Sequence, residues 1–220
     1  MRIGVLALQG SFREHLRLLG RLGAEAVEVR LPSQLGEVAG LVIPGGESTA
    51  IGRLMDSAGL TSAVGGFAGP ILGTCAGMIL LAREALDGVP GQPHLGRIDL
   101  VVRRNGYGPQ RYSFEADVDL AGEHRPFPGV FIRAPRTAAT GPAVQVLGEL
   151  DGEPVLLRQD RVLAAAFHPE LTGDTRIHER FLQMVRDQPS TPPDPNPNPT
   201  TARPPSEPSR PRGRWATPTS

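Results

Sequence analysis

GPILGTCAGMILLA, residues 69 to 82, carries the only cysteine of the 220-residue chain, and its reading decides the fold. Pro70 to Thr74 reads as a buried strand, and the apolar run after Gly77 reads as a helix. Between them Gly73-Thr74-Cys75-Ala76-Gly77 is G-x-C-x-G, the cysteine form of the nucleophile elbow. The flanking glycines let strand and helix backbones crowd together where side chains clash. An isolated cysteine is usually a small buried apolar residue. This one is expected at the end of a strand, in strained backbone above a helix N-terminus, where a thiolate and a developing oxyanion are both favoured. Cys75 is therefore the candidate nucleophile.

Outward from the elbow, short β-rich runs alternate with helical ones. Arg2 to Ala7 reads as a strand, and Ser11 with Glu14 forms a capping-box pattern that opens a helix with an apolar stripe at Phe12, Leu16, Leu19 and Leu22. Ala26 to Arg30 and Gly40 to Ile43 follow as strands, and Met55 lies in a helix. From Ile98 to Phe167 strands and turns dominate. Asp151-Gly152 marks a hairpin there, and a last helix carries Ile177, Phe181 and Val185 on one face. The pattern predicts an α/β fold: a single three-layer domain with a mixed, mostly parallel sheet flanked by helices. The domain is expected over residues 1–187. Residues 188–220 are Pro-rich, polar and almost free of aliphatics, the composition of a disordered tail.

Composition narrows the function. Formal charge is zero, and no basic stripe with interleaved aromatics suggests a nucleic-acid partner. No apolar stretch is long enough to span a bilayer, and the N-terminal run is too short for a signal peptide. One thiol permits no internal disulfide, so a cytoplasmic protein is expected. All of the basic residues counted as Lys or Arg are arginines.

In open α/β sheets the ligand crevice lies at the carboxyl ends of the strands. Three such ends carry complementary chemistry: Gly45-Gly46-Glu47-Ser48-Thr49, the Cys75 elbow, and Phe167-His168-Pro169-Glu170. A thiol attacking an amide needs a base, and the base needs an orienting acceptor. His168 is the histidine with a carboxylate two residues on. In extended chain the two side chains share one side, about 7 Å apart, and Pro169 holds His168 in extended geometry. Glu170 then accepts from one ring nitrogen and leaves the other for Cys75. His15 and His178 in helices, and His94 and His124 in polar loops, read as solvated surface. Gly46 and Ala76 can supply backbone N–H donors to an oxyanion. A peptide next to glycine turns over at little steric cost, so the Gly45-Gly46 loop is expected to be adjustable. A tight turn capped by Ser48 or Thr49 explains the same glycines.

Pro44 to Thr49, Gly73 to Met78, Phe131-Ile132-Arg133-Ala134-Pro135 and Phe167 to Thr172 together resemble class I glutamine amidotransferases, and within them the glutaminase subunits of pyridoxal 5'-phosphate synthases. Leu8-Gln9-Gly10, Arg13-Glu14-His15, Val101 to Asn105 and Ser113 to Ala116 support the likeness, which runs from residue 1 to about 187. The tail has no counterpart, and Tyr107 stands where the pattern has Phe.

The resemblance implies hydrolysis of L-glutamine to glutamate and ammonia through a Cys75 thioester, with His168 as base and then acid and Glu170 orienting it. It places Gly46, Glu47, Ser48, Arg104, Ile132 and Arg133 around glutamine, and Gln9, Arg13 and His15 near the interface with a synthase subunit in a large hetero-oligomer. That subunit builds the product from ribose 5-phosphate and glyceraldehyde 3-phosphate. No cofactor and no metal are implied. Sugar-phosphate assembly runs through imines, normally built on a lysine amine, and this chain has no lysine. Ring formation then falls to the partner, with ammonia channelled to it. A glutaminase for another acceptor, such as imidazole glycerol phosphate synthesis, a related cysteine hydrolase, and a non-catalytic binding protein of the same fold remain as alternatives.

Overall fold

The computed structural model describes residues 1–89, 91–107 and 113–188. The expected disordered tail lies outside the described residues, apart from Gln188. The first half alternates as the sequence predicts: β1 (Arg2–Leu6), α1 (Phe12–Arg21), β2 (Glu25–Val29), β3 (Gly40–Ile43), α2 (Ser48–Ser57), α3 (Leu60–Gly65), β4 (Ile71–Thr74) and α4 (Ala76–Leu81). Strands then dominate: β5 (Ala82–Ala85), β6 (Ile98–Arg103), β7 (Ser113–Leu120), β8 (Phe127–Ile132), β9 (Arg136–Thr140), β10 (Gln145–Leu150), β11 (Glu153–Gln159) and β12 (Val162–Ala165). A 3-10 turn at Pro169–Leu171 leads to α5 (Arg176–Arg186).

Nine strands form one mixed sheet in the order β2-β1-β3-β4-β12-β11-β10-β7-β8. From β2 to β12 the neighbours run parallel; beyond β12 they pair antiparallel. β5, β6 and β9 make a second, three-stranded sheet that the sequence pattern does not disclose. The Asp151-Gly152 hairpin forms, with both residues at positive φ (51° and 77°), as a two-residue turn of matching twist requires. Chain order reverses between β1 and β3, so the loops after β1, β3, β4 and β12 open onto one crevice at a topological switch point.

The central parallel strands are buried on both faces. Ile3, Val5, Leu41, Val42, Ile43, Ile71 and Leu72 are fully buried, as expected for a sheet covered by helices on two sides. The elbow glycines make that packing possible. A Cβ on Gly77 would lie 2.1 Å from the Ile43 carbonyl oxygen, and one on Gly73 would lie 2.8 Å from the backbone of Gly77. Any side chain at either place pushes α4 off β3 and β4.

Helix α1 departs from its pattern in two places. His15, Leu18 and Leu19 are its buried residues, whereas Phe12, Leu16 and Leu22 only lean on the core. Ser11 occupies the N-cap position, but its hydroxyl makes no capping bond. It reaches a carboxylate far away in sequence instead.

Candidate active site

Cys75 sits between β4 and α4 with φ 48° and ψ −102°, the strained elbow the motif predicts. Its N–H donates to the Ala165 carbonyl at 2.8 Å, which pins the elbow to the end of β12. The side chain is nearly buried, and Sγ lies 3.6 Å from the Ile132 carbonyl oxygen. The same β12 end delivers His168, whose N–H donates to the Val130 carbonyl of β8 at 2.8 Å.

His168 Nδ1 lies 2.7 Å from Glu170 Oε1. The pair meets through the 3-10 turn at Pro169–Leu171 rather than along an extended strand, so the local geometry differs from the sequence expectation while the partnership does not. Burial by itself lowers the imidazole pKa, but hydrogen bonds and charge from Cys75 and Glu170 outweigh it and push His168 up to about 10. Burial raises the Glu170 carboxyl. His15, His168 and Ser11 more than offset this and hold it at about 2.

The carboxylate is supported from three sides. Oε1 accepts from the Ser11 hydroxyl at 2.6 Å as well as from His168. His15 Nε2 stands 3.3 Å from Oε2 and 3.2 Å from Thr74 Oγ1, and His15 Nδ1 lies 2.9 Å from His178 Nε2 on α5. His15 and His178 are fully buried, which corrects the reading of both as surface residues. Neither has solvent to meet; each faces the other and the back of Glu170. His124 is exposed and His94 half-buried. Of the other interface candidates, Arg13 is exposed on α1 and stacks over Phe12, and Gln9 is half-buried.

Gln9-Gly10-Ser11 after β1 clamps the loop after β3. Ser11 N–H donates to the Gly45 carbonyl at 3.0 Å, and Glu47 N–H donates to Gln9 Oε1 at 2.9 Å. Gly10, at φ 93°, approaches so closely that a Cβ there would lie 1.8 Å from the Gly45 oxygen. Gly45 N–H donates to Thr74 Oγ1 at 3.1 Å. The loop read as adjustable from its glycines is thus held in this state by Gln9, Ser11 and Thr74. Gly46 is exposed beside the thiol. Ala76 opens α4, so its N–H has no carbonyl partner within the helix.

A cleft of about 420 Å³ gathers these parts, lined by Gly46, Glu47, Ser48, Cys75, Arg104, Asn105, Ile132, Arg133 and His168. Every residue expected around the substrate is in that lining. Glu47, rather than Ser48 or Thr49, caps α2: its carboxylate accepts from Thr49 N–H at 3.0 Å and Ala50 N–H at 2.7 Å. Arg104 Nη2 adds a contact at 3.1 Å. Burial raises the Glu47 pKa, but these donors lower it overall. The Glu47 side chain is half exposed and stays open to the cleft despite these donors. Cys75, Asn105 and Arg133 are all non-glycine residues at positive φ, and all three line the cleft.

Residues 5–187 match the model of the SNO glutamine amidotransferase family. The chain belongs to that family. A family relative in Frankia alni, named pyridoxal 5'-phosphate synthase subunit PdxT, is 54% identical over 191 residues, covering 84% of this chain and 95% of its own. A relative of the same name in Deinococcus radiodurans is 50% identical, covering 84% and 97%. A solved glutamine amidotransferase superimposes with a TM-score of 0.78 at 48% identity, covering 84% of this chain and 98% of that one. The solved PurLQS of Thermotoga maritima contains a chain that is 16% identical with a TM-score of 0.55, covering 84% of this chain and 97% of that one, and it shares the fold. Among the described residues no helix is long and apolar enough to cross a membrane.

The structure brings the expected Cys75, His168 and Glu170 and the expected cleft-lining residues together. Ser11, Thr74 and His178 were missed as supports of the site. Asn105 belongs to one of the motifs that carry the family likeness, and its ease in left-handed backbone was the signal that a strained turn lay there.

Proposed function

We propose that this family member hydrolyses L-glutamine at Cys75 and passes the ammonia to a pyridoxal 5'-phosphate synthase subunit in a hetero-oligomeric complex in the cytoplasm. The observation that carries the reading is the meeting of Cys75, the His168–Glu170 pair and the arginine-lined cleft at one sheet edge.

Cys75 Sγ, as thiolate, attacks the side-chain amide carbon, and the C=O electron pair moves to oxygen. N–H groups of Gly46 and Ala76 receive that oxyanion. His168 gives its proton to the departing nitrogen, the C–N bond breaks, and ammonia leaves a thioester. His168 then takes a proton from water as its oxygen attacks the thioester, and returns it to sulfur as glutamate departs. Glu170 keeps the imidazole oriented throughout. At the other end of the substrate Arg104 suits the α-carboxylate through charge-assisted bonds, and Glu47 suits the α-ammonium. The chain has no lysine side chain on which imines are normally built, in keeping with a ring built elsewhere.

Incubation with a glutamine-analogue electrophile should add one mass increment, mapped to Cys75 and blocked by glutamine. Co-purification with the synthase subunit tests the acceptor. Labelling elsewhere in the chain refutes the nucleophile, and capture of a different ammonia-consuming enzyme refutes the acceptor alone.

A further inference from the structure

Behind the catalytic carboxylate lies a buried polar group that the hydrolysis scheme does not use. Glu170 Oε1 has two donors, but Oε2 has no hydrogen bond of good geometry among the described residues, although its side chain is fully enclosed. An unpartnered buried carboxylate oxygen is costly. The N–H carrier within 3.3 Å is His15 Nε2, which also faces Thr74 Oγ1 at 3.2 Å. Thr74 Oγ1 in turn accepts the Gly45 N–H. One imidazole therefore stands between the triad carboxylate and the oxyanion loop.

We propose that His15 is a positioning residue for this reaction: a permanently neutral imidazole in the Nε2–H tautomer, locked by His178, that shares its N–H between Thr74 Oγ1 and Glu170 Oε2 and so fixes loop and triad in one geometry. The proposal rests on the reading of Cys75, His168 and Glu170 as the catalytic set.

The tautomer follows from what each nitrogen faces. Were His15 Nε2 unprotonated, its lone pair would point toward an anionic oxygen 3.3 Å away, and Oε2 would have no donor at all. With Nε2 protonated, Nδ1 of a neutral ring is an acceptor, and His178 Nε2 must donate to it across 2.9 Å. That leaves His178 Nδ1 as a buried lone pair without a partner, which is where an unpartnered atom is found. The opposite assignment leaves a buried N–H unpaired instead, the rarer and dearer defect. A protonated His15 creates the same orphan N–H on His178.

The groups facing this pair are Glu170 and His168 on the 3-10 turn side, Glu14 on α1, Thr74 at the end of β4, and Arg21 toward His178. Burial is the largest influence on both rings and lowers both, His178 to about 3. The ionic alternative, a His15 imidazolium paired with Glu170, adds a second buried cation beside His168. The carboxylate already balances His168.

Nitrogen-15 NMR of imidazole-labelled wild-type chain reads the assignment directly and needs no variant. His15 and His178 should both show neutral Nε2–H patterns, unchanged from about pH 6 to about pH 9, the span around an ordinary imidazole. An Nδ1–H tautomer of His15, or titration of it in that span, overturns the proposal. Kinetics of the synthase complex supply the second arm. His15→Leu should lose about 10²-fold in kcat with KM within about twofold, the scale of a misplaced catalytic group, whereas His15→Gln, whose amide N–H reaches the Nε2 place, should recover to within about tenfold of wild type. Equal losses in the Leu and Gln variants, or a Leu variant of wild-type kcat, also overturn it. Cys75→Ala in the same assay separates the readings: retained turnover there refutes the catalytic set, while lost turnover there with an unaffected His15→Leu refutes His15 alone.

Discussion

Ser11→Ala removes one hydroxyl donor from the site's support, and its cost can be worked from the structure. The hydroxyl has a single proton and two acceptors in range, Glu170 Oε1 at 2.6 Å and the Gly45 carbonyl at 3.4 Å, so it is spent on the carboxylate. The Ser11 backbone bond to Gly45 survives the substitution. What is lost is one charge-assisted bond to a buried anion, about 1.5–3 kcal/mol. At about 2–4 °C per kcal/mol for a domain of this size, the melting temperature should fall by about 3–12 °C. The effect must also depend on pH in a definite direction. Glu170 is depressed from an ordinary 4.5 to about 2 in the folded chain, so its contribution is complete above 4.5 and is lost as pH falls from there through about 2. Part of that depression comes from Ser11. The stability gap between wild type and Ser11→Ala should therefore be full at neutral pH and shrink as pH drops below 4.5. Denaturant unfolding of both proteins at neutral pH and at several acid values measures it. A gap that is absent at neutral pH, or that stays constant across the acid range, refutes the claim that Ser11 stabilises the Glu170 anion.

Further outcomes follow from the same geometry. Cys75→Ala and His168→Asn should each abolish glutamine hydrolysis, measured as glutamate release; a wild-type rate in either removes that residue from the reaction. His168, raised from 6.5 to about 10, stays protonated until pH climbs toward that value, so kcat/KM should hold well above neutral and fall on the alkaline side. Glu170→Gln removes one of the groups that raise it, so the alkaline limb should move acidward with residual activity; an unmoved limb speaks against the pairing. Gly45→Ala places a Cβ 2.2 Å from His168 Cε1 and should cost about 10²-fold or more in kcat/KM through a displaced base; activity within about threefold of wild type, on the same assay, contradicts that packing. The isolated chain should turn over slowly and accelerate when the synthase subunit is added, because an oxyanion donor out of place costs about 3 kcal/mol; equal kcat/KM with and without partner rejects gating at the Gly45-Gly46 loop.

The parallel half of the sheet was legible because its signals are local. Apolar runs and the glycine frame of Cys75 act through neighbours a few residues away, as does the Asp151-Gly152 turn in the antiparallel half. The cleft lining was legible through motif resemblance. The supports of Glu170 were not, since their partners are distant in sequence: 159 residues separate Ser11 from Glu170, and 163 separate His15 from His178. At Ser11 a local capping pattern competed with a carboxylate that only the folded chain brings near, and the carboxylate won. At His15 a polar residue on a helix reads as surface until the group it faces is known. The small sheet of β5, β6 and β9 escaped for a related reason: its strands come from separate places in the sequence, and no periodicity announces their pairing.

Those long separations also set the order of events when the chain folds. Contacts between remote residues bear the largest loop-closure entropy and form slowly. The elbow can take shape from β3, β4 and α4 alone, which lie close together in sequence. Its base arrives only with β12, and the imidazole behind the acid is locked by His178 only when α5 meets α1. A partly folded chain thus holds a thiol with no oriented base and no fixed carboxylate, and stays chemically quiet. Glutamine turnover consequently reports that the two ends of the domain have met. An activity time course during refolding is a clock for that last docking step rather than for collapse of the sheet.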